Sequence, residues 1–114
     1  MPLTKRQAAK KSEQIELAMT EAELTRSIVA AAKELGYKVY FTWRSIHSPA
    51  GYPDLTMTRN GKLLIWEAKS AKGVVKPAQQ EWLDALGQVP GVDARVVRPA
   101  DLEQAYEALI CGHW

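Results

Sequence analysis

The sequence lacks several features that would assign it to a membrane or secreted protein. Its 114 residues contain one cysteine, Cys111, so no disulfide can form within the chain, and a reducing cytoplasm fits this composition. No apolar run approaches the ~20 residues that span a bilayer. No signal peptide follows the first basic residues, because glutamate and glutamine come next. We therefore expect a single cytoplasmic domain with no membrane partner.

The motifs of several large enzyme classes are also missing. The sequence has no Walker phosphate loop, no zinc-spaced cluster of cysteine and histidine, and no Gly-x-Ser-x-Gly elbow. These absences argue against an ATPase, a zinc enzyme and a serine hydrolase. We therefore expect no nucleotide cofactor.

Acidic residues are missing from the first 12 positions, which carry four basic residues: Lys5, Arg6, Lys10 and Lys11. The rest of the chain is nearly balanced, so the net charge of +2 comes from this segment. We interpret residues 1–18 as a basic N-terminal arm and residues 19–114 as one domain. The arm is either solvated and disordered or in contact with phosphates.

Hydrophobic periodicity predicts the element order α-β-β-β-α-β-α. Thr20 and Glu23 form a capping box that begins the first helix, and Gly36 ends it. Strands are predicted at 37–44, 54–59, 62–69 and 93–98, and helices at 78–86, closed by Gly87, and at 101–110. A β-α-β crossover makes the last two strands parallel. The expected fold is therefore α/β, with helices flanking a central mixed sheet.

The stretch 51–69 is the most informative part of the sequence. Asn60-Gly61 lies between two extended runs and predicts a hairpin that brings Asp54 back toward Glu67. Because side chains alternate along a strand, Glu67 and Lys69 point to the same face. Plainer interpretations exist: Asp54 as a turn residue, and Glu67 with Lys69 as an ion pair at a sheet edge. The convergence of all three favours a shared site.

Two converging carboxylates are typical ligands of a hard divalent cation. Asp54 and Glu67 can hold Mg²⁺ or Mn²⁺ and leave positions for water and phosphate oxygens. Such a metal lowers the pKa of bound water and offsets the charge that builds on a phosphorane. Lys69, beside two acids, is expected to remain protonated and to position water or phosphate rather than act as a base.

These residues resemble a known nuclease family. Asp54 followed by Glu67-Ala68-Lys69 is similar to the signature of the PD-(D/E)XK superfamily. The context resembles its virus-type replication-repair nuclease (VRR-NUC) branch through Gly51-Tyr52-Pro53-Asp54-Leu55, the run Pro77 to Leu83, the helix that begins with Glu21, and the run Arg98 to Leu102. The resemblance extends from Thr20 to Leu109. It implies a restriction-endonuclease-like α-β-β-β-α-β core, which agrees with the predicted order.

The resemblance also implies further site residues. An acid of the first helix joins the metal site in similar proteins, and Glu21 is favoured because Glu23 already serves the capping box. Glu21 suits the helix dipole equally well. A glutamine of the next helix supports the site. Gln79 lies on the apolar side of that helix, while Gln80, or a purely surface role for Gln79, is the alternative. The backbone carbonyl of Ala68 completes the metal shell.

Polar residues around the site are predicted to contact the DNA backbone. They are Arg44, Ser45, His47, Ser48, Lys72 and Lys76. His47 could instead donate a proton to the leaving oxygen or be solvated in its loop. Arg95 and Arg98 could contact phosphates or be surface charges.

We therefore expect a divalent-metal-dependent DNA endonuclease. Stand-alone phage and bacterial VRR-NUC proteins resemble Holliday-junction resolvases that act as homodimers, so the resemblance implies a homodimer selective for branched or junction DNA. Alternatives are a nicking or flap endonuclease in phage replication or packaging, and a non-catalytic DNA-binding factor that kept the fold. The expected location is the cytoplasm of a bacterium or of a phage-infected host cell.

Overall fold

The computed structural model describes residues 2–42 and 50–114. Four strands form a mixed sheet in the order β1-β2-β3-β4, with β1 at Lys38–Phe41, β2 at Leu55–Arg59, β3 at Lys62–Ala68 and β4 at Val92–Val97. The helices are α1 at Lys5–Ala18, α2 at Glu21–Glu34, α3 at Pro77–Gly87 and α4 at Leu102–Cys111, preceded by a 3-10 turn at Pro99–Asp101. The predicted α/β class with a mixed sheet flanked by helices is confirmed. From α2 to β4 the order is the predicted α-β-β-β-α-β.

The hairpin between β2 and β3 forms where the sequence predicts it. Asn60 and Gly61 have φ of 50° and 77°, so both central residues of the turn are left-handed, as a tight hairpin turn requires. The antiparallel register places Leu55 opposite Trp66. Asp54 is therefore next in line opposite Glu67.

The strand β3 is central because β2 and β4 both pair with it. Its pairing with β4 is parallel, as predicted, and Glu67 lies opposite Val96 in that register. The ladder continues beyond the strand, where the Lys69 N–H donates to the Val97 carbonyl at 3.0 Å. Residues at this end of β3 are consequently held on both sides.

The main core lies between the sheet and the helices α2 and α4. Leu24, Ile28 and Ala32 follow one another at four-residue spacing on α2 and are fully buried. They pack in one cluster with Trp66 of β3 and Leu109 of α4. Burial of each large aliphatic side chain stabilises the fold by about 1.5–3 kcal/mol. The stripe fixes which side of α2 faces the sheet, and it leaves Glu21 at the exposed start of the helix.

Arg59 joins the C-terminal ends of two helices at the far end of β2. Its guanidinium donates to the carbonyls of Leu35 at 2.9 Å, Leu109 at 3.0 Å and Ile110 at 2.9 Å. It also lies over the Tyr37 ring, 4.5 Å from the centroid. Terminal carbonyls of a helix lack partners within the helix, so this one cation satisfies groups from both α2 and α4.

The N-terminal segment is helical, so the interpretation of the arm as disordered, one of the two alternatives, is wrong. Residues Lys5–Ala18 form a helix whose start is a capping box: Thr4 Oγ1 accepts from the Gln7 N–H at 3.1 Å, and Gln7 Oε1 accepts from the Thr4 N–H at 3.0 Å. None of the residues of this helix is buried. Its contact with phosphates stays a prediction.

Several predicted boundaries shift by a few residues. The strand predicted at 37–44 begins one residue later, at Lys38, and ends at Phe41, while positions 43 and 44 of the prediction lie outside the described residues. Gly36, with φ of 89°, ends α2 as predicted, but Gly87 lies inside α3, and Gln88 is the cap. Among the described helices, none is long and apolar enough to cross a bilayer.

Candidate active site

Three carboxylates meet at the open end of the hairpin. Glu21 at the start of α2, Asp54 just before β2 and Glu67 near the end of β3 each place one oxygen within 4.8 Å of the others. The exposure of these three residues to solvent increases from Glu67, which is 1% exposed, through the half-buried Asp54 to the exposed Glu21. The predicted convergence of Asp54 and Glu67 is confirmed, and Glu21 rather than Glu23 joins them.

Glu23 is occupied elsewhere, as its position in the capping box predicts. Its carboxylate accepts from the Thr20 hydroxyl at 2.9 Å and from the Thr20 N–H at 3.3 Å. The Glu23 N–H in turn donates to the Thr20 hydroxyl at 3.1 Å. The start of α2 is thereby fixed, and Glu21 is directed to the site.

Asp54 is placed by close packing of the preceding residues on α3. Gly51 has φ of 90°, and a Cβ atom there would lie 2.6 Å from the backbone carbon of Ala78. The ring of Tyr52 meets that of Trp82 edge-on, with centroids 5.1 Å apart. The Asp54 N–H then donates to Glu67 Oε2 at 3.1 Å. The two motifs, Gly-Tyr-Pro-Asp and the start of α3, therefore form one packed unit.

Lys69 supplies the positive charge within this cluster. Its Nζ lies 3.8 Å from Glu67 Oε1, and the two side chains are 10% and 2% exposed. Glu67 and Lys69 share a face of the sheet, as the strand period predicts. The plainer interpretation of an exposed pair at a sheet edge is wrong, because β3 is central and both residues are buried.

The electrostatics of the cluster favour an additional cation. Burial is the main reason that the pKa of Glu67 is raised from 4.5 to about 8. The charge of Asp54 and a hydrogen bond between the two carboxyls also raise this pKa, whereas the charge of Lys69 lowers it. Burial likewise raises the pKa of Asp54. One lysine therefore does not balance the acids. Three carboxyl groups that converge beside this lysine fit a hard divalent cation, which prefers oxygen ligands and would take the place of the retained proton.

Gln79 is the glutamine of α3 that faces the site. Its Nε2 donates to Glu67 Oε1 at 3.2 Å, and its Oε1 accepts from the Lys76 N–H at 2.9 Å. These two partners fix which way the amide points. Gln80 instead donates to Asp84 Oδ1 at 2.8 Å on the exposed face of the helix. Of the two alternatives, the structure places Gln79 beside the acids.

The other predicted site residues lie in different places. Ala68 is fully buried at the end of β3, beside Glu67, and Lys72 and Lys76 are exposed in the loop that leads to α3. The remaining four predicted contacts, Arg44, Ser45, His47 and Ser48, fall outside the described residues. The roles of all seven stay predictions.

Arg98 organises the loop next to the site, which the sequence did not indicate. Its Nη1 donates to the carbonyls of Ser70 at 2.7 Å and of Gly73 at 2.8 Å. It therefore ties β4 to the loop that follows Lys69 and is not a plain surface charge. Arg95 forms an ion pair of 2.7 Å with Asp93. An arginine after a strand carries no local signal of such distant partners.

A cleft of about 270 Å³ leads from solvent to the acids. Its walls are Glu21, Ala22, Thr25, Phe41, Thr42 and Asp54. Thr25 and Phe41 were read from the sequence only as parts of a helix and a strand. Their place at the cleft follows from the packing of α2 beside β1, which no local pattern reveals.

Compared with models of protein families, with curated proteins and with solved structures, the chain gives no match. The resemblance to VRR-NUC nucleases therefore stays a prediction, supported by its motif residues. The geometry of the acids stands independently of that resemblance.

Proposed function

We propose that the protein is a DNA endonuclease that hydrolyses phosphodiester bonds with the aid of Mg²⁺ or Mn²⁺. The observation that carries this proposal is the meeting of the Glu21, Asp54 and Glu67 carboxylates within 4.8 Å of one another, beside the ammonium of Lys69. When bound, the metal acidifies a water molecule and offsets negative charge on the phosphate under attack.

Each residue of the cluster has a distinct part in this proposal. Asp54, Glu67 and Glu21 bind the cation, and the Ala68 carbonyl completes the set of oxygen ligands. Gln79 holds Glu67 in place through its hydrogen bond of 3.2 Å. Lys69 contacts the scissile phosphate or orients the attacking water. A cation placed where charge develops typically contributes a factor of about 10²–10³ to the rate.

The proposal extends to the form of the substrate and the location of the protein. Lys72 and Lys76, exposed beside the site, contact phosphates of the bound strand, as do Arg44, Ser45, His47 and Ser48. By resemblance, the substrate is branched or junction DNA and the active form is a homodimer. The protein acts in the cytoplasm of a bacterium or a phage-infected cell.

Cleavage of four DNA forms tests the proposal. Purified protein is incubated with duplex, nicked, flap and four-way DNA in Mg²⁺, Mn²⁺ or EDTA. We expect cleavage only with a metal, and greatest on branched DNA. Lys69→Ala should lower the cleavage rate by about 10²–10³-fold and retain DNA binding. Lys38→Ala, an exposed lysine at the start of β1, is the matched control and should cleave normally.

Two outcomes would redirect the interpretation. Wild-type protein that binds DNA but cuts no form of it with either metal would support a non-catalytic DNA-binding factor. Cleavage confined to nicked or flap DNA would support the endonuclease and exclude junction selectivity.

A further inference from the structure

A second recess adjoins the acidic cleft along α2. It measures about 410 Å³ and is lined by Thr25, Arg26, Val29, Ala30, Lys33 and Phe41. Thr25 and Phe41 also line the acidic cleft. The two hollows therefore lie side by side along α2, with Thr25 and Phe41 bordering both.

The chemistry of the side chains along this side of α2 changes from one end to the other. Glu21, Thr25, Val29 and Lys33 are spaced by four residues, so they form one row on α2. With a rise of 1.5 Å per residue, this row spans about 18 Å from the acid to the lysine. The row thus passes from the carboxylate of Glu21, through Thr25 and Val29, to the basic Lys33.

Two basic residues border the recess, Arg26 and Lys33. Arg26 and Lys33 are exposed, and neither forms a salt bridge with any residue in the described part of the chain. The recess is also lined by carbon groups from Val29, Ala30 and Phe41. A ligand with a flat apolar part and a negative charge matches this arrangement.

We propose that the recess holds an unpaired nucleotide of the DNA strand, next to the phosphate that is cut. The inference rests on the proposed function. The base packs against Phe41 and Val29, and the neighbouring phosphates contact Arg26 and Lys33. Stacking of a base on an aromatic ring tolerates any sequence, because every base has a π face. The recess therefore selects for structure rather than sequence.

This subsite explains how so small a domain could distinguish DNA forms. In an intact duplex each base is covered by its neighbours and must be unstacked before it can enter a recess, which costs a few kcal/mol. A base at a junction, flap or gap is already partly unstacked, so less free energy is needed to move it into the recess. A protein partner fits less well, since a stable interface uses about 20–30 residues a side, whereas six line this recess.

Two substitutions in α2 and one control test the subsite. Ala30→Glu places a carboxylate in the lining of the recess, and Ala85→Glu makes the same change at an exposed position of α3, away from the recess. Arg26→Ala removes one charge from an exposed side chain, so it tests the recess even if Ala30→Glu fails to fold. The probe is a duplex with one unpaired 2-aminopurine, titrated in EDTA so that binding is read without cleavage.

We expect the fluorescence of the probe to rise when wild-type protein binds it, because the base leaves the DNA stack. Ala30→Glu should weaken binding of this DNA by about tenfold and abolish the rise. Arg26→Ala should weaken binding and lower the salt dependence by about one phosphate contact. Ala85→Glu should behave as wild type, and Lys69→Ala should retain the fluorescence change.

The outcomes separate this inference from the proposed function. The subsite is overturned if wild-type protein cleaves DNA but the fluorescence of the probe does not change. It is also overturned if wild-type protein cleaves DNA and both Ala30→Glu and Arg26→Ala bind the probe normally. In both cases the endonuclease proposal is unaffected. A fluorescence rise that depends on Ala30, with no cleavage in either metal, supports the subsite and overturns the endonuclease. A change of oligomeric mass in Ala30→Glu with unchanged DNA binding overturns the subsite in favour of a contact between copies.

Discussion

Glu67 determines the behaviour of the site because it is the acid that is least accessible to water. A buried carboxylate is costly unless a cation or several donors stabilise it. Among the described residues, the donors to Glu67 are the Asp54 N–H and the Gln79 amide, and the cation paired with it is Lys69. The pair of Glu67 and Asp54 therefore retains a proton near neutral pH when no metal is bound.

The first prediction concerns pH and stability in EDTA. Because the pKa of Glu67 is raised from 4.5 to about 8, the folded protein binds more protons than the unfolded chain between these values. The free energy of unfolding should therefore fall as pH rises from about 4.5 to 8, and then level off. The raised pKa of Asp54 acts in the same direction. Urea unfolding at several pH values measures this slope.

The same linkage predicts how metal and pH interact. A cation that binds the ionised acids must displace the retained proton, so Mn²⁺ affinity should rise with pH up to about 8. Added Mn²⁺ should therefore stabilise the protein more at pH 8 than at pH 6. Glu67→Gln removes the titrating group, and a pH slope in EDTA that persists unchanged in this variant would contradict the assignment.

A second prediction separates the two glutamines of α3. Gln79→Ala removes a hydrogen bond to Glu67 and should lower metal affinity about 10–100-fold, the usual effect of a lost supporting contact to a ligand. Gln80→Ala removes only an exposed bond to Asp84 and should bind metal normally. Calorimetric titration with Mn²⁺ measures both. Equal affinities would show that Gln79 does not support the site.

The residues of the site divide into those that local patterns reveal and those that they do not. Asp54, Glu67 and Lys69 follow from a hairpin turn and a two-residue period, both of which are local. Arg98 acts through partners far along the chain, and Phe41 borders the cleft because β1 packs beside α2, so no spacing rule finds either of them. The raised pKa of Glu67 depends on burial from both neighbouring strands, which the sequence indicates only as an apolar run before it.

At the scale of elements, the contact between the loop before β2 and the start of α3 matters most. The missing side chain of Gly51 lets the loop approach the backbone of Ala78, and Tyr52 packs on Trp82. The hairpin alone sets Asp54 opposite Glu67, but this contact fixes the direction from which the chain enters β2. Metal binding should therefore be sensitive to substitutions at this contact.

A third prediction compares two glycines with similar backbones. Gly51 and Gly61 both have positive φ, but an added Cβ would meet Ala78 atoms at 2.6–2.9 Å in the first case and nothing within 4 Å in the second. Gly61→Ala should cost about 1 kcal/mol from backbone strain. Gly51→Ala should cost clearly more and also weaken Mn²⁺ binding, as measured by urea unfolding and metal titration. An equal loss of stability in the two variants would show that the loop containing Gly51 can rearrange to accept a Cβ atom.

The elements themselves were predictable where the hydrophobic pattern is strong. The stripe of Leu24 and Ile28 and the alternation in the strands gave the correct types and the parallel pairing. The helix α1 was missed because it has no apolar stripe and buries nothing. Its capping box, Thr4 with Gln7 three residues later, was a signal that could have indicated it. Gly87 was taken as a helix end, yet glycine is tolerated within a helix.

At the scale of the whole molecule, Arg59 links parts that are distant in sequence. It binds carbonyls at the ends of α2 and α4. Tyr37, which lies just before β1, provides a second link to α4, because its hydroxyl donates to the Leu109 carbonyl at 2.6 Å. A planar guanidinium can serve three carbonyls at once, whereas a lysine ammonium does not match that geometry.

A fourth prediction follows for stability. Arg59→Lys should lower the free energy of unfolding by about 2–4 kcal/mol, since each hydrogen bond to a charged group contributes about 1.5–3 kcal/mol and losses from one side chain are not additive. Arg6→Lys, in the exposed α1, is the control and should change little. Chemical unfolding measures both, and similar values for the two variants would contradict the linking role of Arg59.

Arg59 stabilises the fold at the end of β2 that lies far from the acidic site. Five residues of β2 lie between Asp54 and the end of the strand, a distance of about 16 Å. Weakening the distant end should leave the arrangement of the acids intact at low temperature. A cell carrying the Arg59→Lys protein would then show a conditional phenotype, normal when grown cool and deficient when grown warm, and under the proposed function its choice of DNA would be the same at both temperatures.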